Sequence, residues 1–91
     1  MNGPKKILTV RERVAHNLRA WRLQREISQT DLSASADISQ TFLSQVENGL
    51  RNVSIDTLEK LAAALEIDIL DLFATQALAP DVLTTTKNAH K

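Results

Sequence analysis

The 91-residue sequence predicts an all-α domain of five helices, and three features predict it. Apolar residues recur at spacings of three and four along two stretches, which is the period of a helix with one covered side. Serines at positions 28, 39 and 54 stand where a hydroxyl can cap the start of a helix. Only two glycines and two prolines interrupt the chain, a composition that suits packed helices rather than a low-complexity segment.

The first helix is expected from about Val10 to Arg25, with Val10, Val14, Leu18 and Trp21 on one stripe. Ser28 caps a short second helix that carries Leu32 and ends near Ala36, and Asp31 in its first turn favours the positive helix end. Asp37 sits at the break, where aspartate tolerates left-handed or turn geometry. Ser39 caps a third helix from Gln40 to Asn48, and Gly49 supplies the left-handed residue that ends it. After the loop from Leu50 to Val53, Ser54 caps a fourth helix whose stripe is Ile55, Leu58, Leu61, Ala62 and Leu65. Asp68 opens a short fifth helix through Ile69, Leu72 and Phe73. The expected organisation is a flexible basic arm at 1–9, one folded domain at 10–78 and a mobile tail at 79–91.

Several function classes fall away on composition. The absence of cysteine removes disulfides, thiol nucleophiles and thiolate metal sites, and fits a reducing, cytoplasmic setting. No apolar run approaches the roughly 18 residues of a membrane span, and no signal segment follows the N-terminus. His16 and His90 lack partners at metal-like spacing, and the serines have no paired histidine, so neither metal, cofactor nor enzymatic activity is expected.

Net charge is zero, yet the charges are segregated. From Lys5 to Glu26 seven bases face two acids, whereas from Ile55 to Asp81 six acids face Lys60 alone. A basic surface able to meet nucleic acid and an acidic end turned elsewhere follow from that asymmetry.

The third helix carries the chemistry. With Ser39 at zero and about 100° per residue, Leu43 and Val46 fall near the origin, flanked by Phe42 and Glu47. The other side holds Gln40, Thr41, Ser44, Gln45 and Asn48, none of them charged. A face that served solubility alone would draw on lysine and glutamate, which are better helix formers than serine, threonine or asparagine. Neutral amides and hydroxyls are what direct readout of base edges uses, since glutamine can bond the N6 and N7 edge of adenine bidentately. Phe42 either packs on the core or turns its edge to a thymine methyl.

Two short helices joined by a tight turn form a helix-turn-helix, which presents its second helix to the major groove. Residues 17–73 resemble the helix-turn-helix domain of the phage repressor and Cro (xenobiotic-response-element-like) family, a lambda-repressor-like DNA-binding domain. The likeness rests on Leu18 to Arg22, Ile27-Ser28-Gln29, Leu43-Ser44-Gln45-Val46-Glu47-Asn48-Gly49, Arg51-Asn52, and Leu58 through Leu65. The small size and the Arg51-Asn52-Val53-Ser54 loop are also similar to the controller proteins of restriction-modification systems.

The resemblance implies that Gln40, Thr41, Ser44 and Gln45 contact bases, with Gln40 foremost. It implies that Gln29, Ser39, Asn48, Arg51, Asn52 and Ser54 contact phosphates, which set register rather than sequence. Arg22 and Glu47 match a structural salt bridge of the family. Asp37 stands where the family commonly has glycine, and Val53 where it has proline. The reading face holds no arginine or lysine, which points its amides toward A·T-containing sites. One reading helix covers few base pairs, so a homodimer on two half-sites of a (pseudo)palindromic operator is expected, with Ile69, Leu72 and Phe73 as its candidate interface, the alternative being that these residues close the protomer's own core. The implied function is sequence-specific transcription regulation on double-stranded DNA without chemistry. The rivals are an antitoxin-type interaction module that autoregulates its operon, and a helical bundle with no DNA function.

Overall fold

The computed structural model describes residues 8–75. The expected tail, and the expected arm apart from residues 8 and 9, lie outside the described residues. The described part is all-helical: α1 (Val10–Gln24), α2 (Gln29–Ser35), α3 (Gln40–Glu47), α4 (Ile55–Leu65) and a 3-10 turn at Ile69–Leu72. The fifth element is therefore one tight turn rather than an α-helix. Asp68 accepts from the Leu70 N–H at 2.8 Å, and the Asp71 carboxylate accepts from the Asp68 N–H at 3.2 Å. These caps close a segment of four residues, short enough for the i to i+3 pattern to prevail.

Each start has its own cap. Ser28, Ser39 and Ser54 each accept from the backbone N–H three residues on. Thr9 and Glu12 form a reciprocal capping box that opens α1, so Thr9 belongs to the helix and not to an arm.

Every α-helix ends the same way. Glu26, Asp37, Gly49 and Glu66 take φ of 58°, 57°, 73° and 60°, and the residue after each donates its N–H back across the last turn. Those bonds run from Ile27 to Arg22, Ile38 to Ser33, Leu50 to Gln45 and Ile67 to Ala62, the pattern of a Schellman cap. Left-handed geometry costs a non-glycine residue about 1 to 2 kcal/mol. At three of the four ends the following isoleucine packs on the core, which offsets that cost.

Each element places at least one leucine in a common interior: Leu18, Leu32, Leu43, Leu61, Leu65 and Leu72 are all but sealed from solvent. Two stripe residues do not join them, for Val10 is 63% and Ile55 72% exposed. Both occupy the first helical position after a cap, where the helix overhangs its neighbours.

The interface assignment of Leu72 is corrected outright. Leu72 is 0% exposed and closes the protomer's own core, while Leu70 beside it is 70% exposed. The Asn17 amide holds this segment down by donating to the carbonyls of Leu72 and Ala74 at 2.9 and 3.0 Å. Arg25 stacks over Trp21 and donates to the Leu65 carbonyl, fastening the end of α4 to α1. Helix α3 packs against α1 and α2, so its position is set from beneath.

Candidate nucleic-acid interface

Ser39 fixes where α3 begins by accepting from the Phe42 N–H at 3.0 Å. Leu43, Val46 and Glu47 then turn inward, and Gln40, Thr41 and Asn48 are exposed. Ser44 and Gln45 are half-buried because the flanking elements rise beside them. Gln29 from α2 and Leu50 from the loop join Gln40, Thr41, Ser44, Gln45 and Asn48 around one open polar hollow.

Through Gln29, that hollow is tied to a buried network. Arg22 meets Glu47 through two parallel bonds, Nε to Oε2 at 2.6 Å and Nη2 to Oε1 at 3.0 Å. Its third nitrogen, Nη1, donates to the Ile27 carbonyl at 2.9 Å. Gln29 Nε2 adds a bond to Glu47 Oε1 at 3.0 Å, so one carboxylate joins α1, α2 and α3. Its acceptor capacity is committed inward, which keeps a negative charge from presenting itself on the outer face of α3.

Gln40 is held as well. The Thr30 hydroxyl donates to Gln40 Oε1 at 3.1 Å, a bond between the first turn of α2 and the first residue of α3. Sequence reasoning missed Thr30, because nothing in its local pattern links it to a residue ten positions on. One oxygen lone pair and both amide hydrogens of Gln40 stay outside this bond.

The remaining predicted residues divide. Asn48 Nδ2 donates to the Ser44 carbonyl at 2.9 Å while the residue stays exposed. Ser54 is taken up in the first turn of α4, accepting from the Thr57 N–H and donating to Thr57 Oγ1 at 3.0 Å. Arg51 and Asn52 are exposed and share the rim of a neighbouring apolar hollow with Arg11. Arg19 and His16 line a third hollow with Asn48 and Gly49, so the Arg19 charge flanks the end of α3. The charge asymmetry signalled these α1 residues without assigning them. The Phe42 ring packs on the core and carries the Arg51 guanidinium over it, with Cζ 5.3 Å from the centroid. That arrangement favours packing over a thymine contact. Ile69 is half-buried against the core, and Phe73 is 36% exposed.

Among the described residues no three His, Asp or Glu gather as a metal site, and no helix is long and apolar enough to cross a membrane.

The profile of the helix-turn-helix family HTH_3 matches residues 18–72, which span all four α-helices from the middle of α1 to the 3-10 turn. The chain belongs to this helix-turn-helix family. Within it, the chain is a DNA-binding transcription regulator. Asp37, at φ 57°, supplies the left-handed turn between the two helices of the motif. Among HTH_3 relatives, control protein C.MunI of a Mycoplasma species is 36% identical over 66 residues, covering 71% of this chain and 89% of that protein. Control protein C.SmaI of Serratia marcescens is 32% identical over 71 residues, covering 78% and 84%. Among solved structures, the restriction-modification controller protein C.AhdI of Aeromonas hydrophila superposes with a TM-score of 0.68 at 33% identity. That match covers 69% of this chain and 96% of the other.

Proposed function

We propose that the protein acts as a homodimer on a (pseudo)palindromic operator, reading base edges in the major groove with α3. The observation that carries this reading is the uncharged face of Gln40, Thr41, Ser44 and Gln45 around one open hollow, with Gln40 steadied by Thr30. Likeness to control proteins over most of their length favours a controller, one that adjusts transcription by where it sits rather than by catalysis. A cytoplasmic location and the absence of cofactor chemistry accompany that role.

Gln40 has the groups to accept from adenine N6 and donate to N7 while Thr30 keeps its bond. Replacing Gln40 with alanine is expected to cost about 1 to 3 kcal/mol on the preferred site and to relax choice at one base pair. Competition binding against single-base variants of the site measures both effects. An equal loss on unrelated DNA would remove Gln40 from the base-reading set.

Backbone contacts surround that face. Arg51 and Asn52 stand on one flank and Asn48 at the end of α3, while Gln29 retains a second amide hydrogen for a phosphate. Ser39 sits at the N-terminus of α3, where the free N–H groups and the helix dipole favour an anion. Arg51→Ala is expected to weaken binding to all sequences and to flatten the slope of log affinity against log salt by about 1. A slope identical to wild type would exclude Arg51 as a phosphate contact.

The second copy is proposed to pack on the exposed side of the 3-10 turn, through Leu70 and Phe73 with the edge of Ile69. The acidic residues of this end keep it off DNA. Selection of genomic fragments bound by the purified protein tests the whole reading. The expected result is one shared sequence with two-fold symmetry and half-sites roughly 34 Å apart. Fragments without common sequence would overturn it.

A further inference from the structure

We propose that Phe42 is a positioning residue for DNA binding, its ring holding the Arg51 guanidinium ready to meet a phosphate. This rests on the reading of Arg51 as a backbone contact. Arg51 lies on an exposed loop beyond Gly49, and among the described residues its guanidinium makes no hydrogen bond or ion pair. What it rests on is the aromatic ring, at 5.3 Å from Cζ to centroid, inside the range of about 6 Å for cation–π attraction. Phe42 is itself half-buried and packed against the core, so the platform is anchored in the fold while Arg51 stands exposed on the loop.

The geometry of the contact matters as much as its strength. Attraction to a ring face consumes no hydrogen-bond donor, so the N–H groups of the guanidinium stay unspent. A carboxylate partner would consume those donors and cancel the charge, as Glu47 does for Arg22. A free arginine would instead lose rotamer freedom on capturing a phosphate, a cost that preordering lowers. The ring therefore orders Arg51 without competing for the bond that DNA needs.

The test uses a fluorescein-labelled duplex of random sequence, since a phosphate contact does not depend on base identity. Phe42→Leu is expected to weaken binding about three-fold, the scale of an exposed cation–π contact. Phe42→Tyr, which keeps an aromatic face, should bind as wild type. In an Arg51→Ala background the Phe42→Leu loss should vanish, because nothing remains to be positioned. A loss that persists undiminished in that background, or no loss from Phe42→Leu while Arg51→Ala weakens binding, would overturn the positioning role alone. If Arg51→Ala itself leaves affinity unchanged, the backbone contact fails and this inference fails with it. Should Phe42→Leu not fold, NMR of the wild-type protein decides. Ring-current-shifted Arg51 side-chain protons, both free and on DNA, support the proposal, and unshifted protons overturn it.

Discussion

Glu47→Ala is expected to destabilise the fold by about 3 to 5 kcal/mol, the usual consequence of removing one partner from a buried ion pair. Arg22 is 8% exposed and Glu47 7%, so the guanidinium left behind would keep its charge with little access to water. Two of its three nitrogens would lose their acceptor, and Gln29 would lose its bond at the same stroke. A domain of this size holds about 5 to 15 kcal/mol in total, so the loss takes from about a fifth of that stability to all of it. Urea unfolding followed by helical circular dichroism measures the loss. A change under about 1 kcal/mol would show that the carboxylate is solvated and the pair ornamental. The same network ties α3 to α1 and α2, so DNA binding should fall in step with the folded fraction.

Leu72→Ala comes next, at about 2 to 5 kcal/mol, the range for emptying a fully buried leucine site. Leu72 is 0% exposed, and Asn17 pins the backbone at its carbonyl and again at Ala74 just beyond. The expected loss belongs to the protomer, so it should appear unchanged across a wide range of protein concentration. A residue at a subunit contact behaves differently, because its loss shifts an association equilibrium and the apparent stability then follows concentration. Unfolding at several concentrations separates the two. A variant with wild-type protomer stability that merely dissociates would return Leu72 to the interface.

Much of this architecture is legible residue by residue. Ser28, Ser39 and Ser54 mark helix starts because a short hydroxyl side chain and a free N–H need only local geometry to meet. Asp37 and Gly49 mark exits for the same local reason, their tolerance of left-handed backbone. Glu26 and Glu66 exit identically yet carry no such signal, since glutamate seldom adopts that conformation unprompted. The isoleucines that follow them pack on the core, and that gain is invisible until the core exists. Asp68 signalled a helix start correctly, but its period could not say whether four residues would close as α or 3-10. The joining of Arg22 to Glu47 was implied by family resemblance, not by spacing, because the two stand 25 positions apart.

Taken alone, then, the order of residues determined the helix starts, the exits at Asp37 and Gly49, the all-α class and the uncharged composition of the outer side of α3. Each of these depends on neighbours within a turn or two, where propensity and periodicity act. The tertiary structure alone decided that Val10 and Ile55 stay in water, that Leu72 seals the protomer, that Thr30 bonds Gln40, and that Arg51 lies over the Phe42 ring. Those outcomes turn on where other helices begin and end in space, and a local period gives direction around an axis without saying what stands opposite.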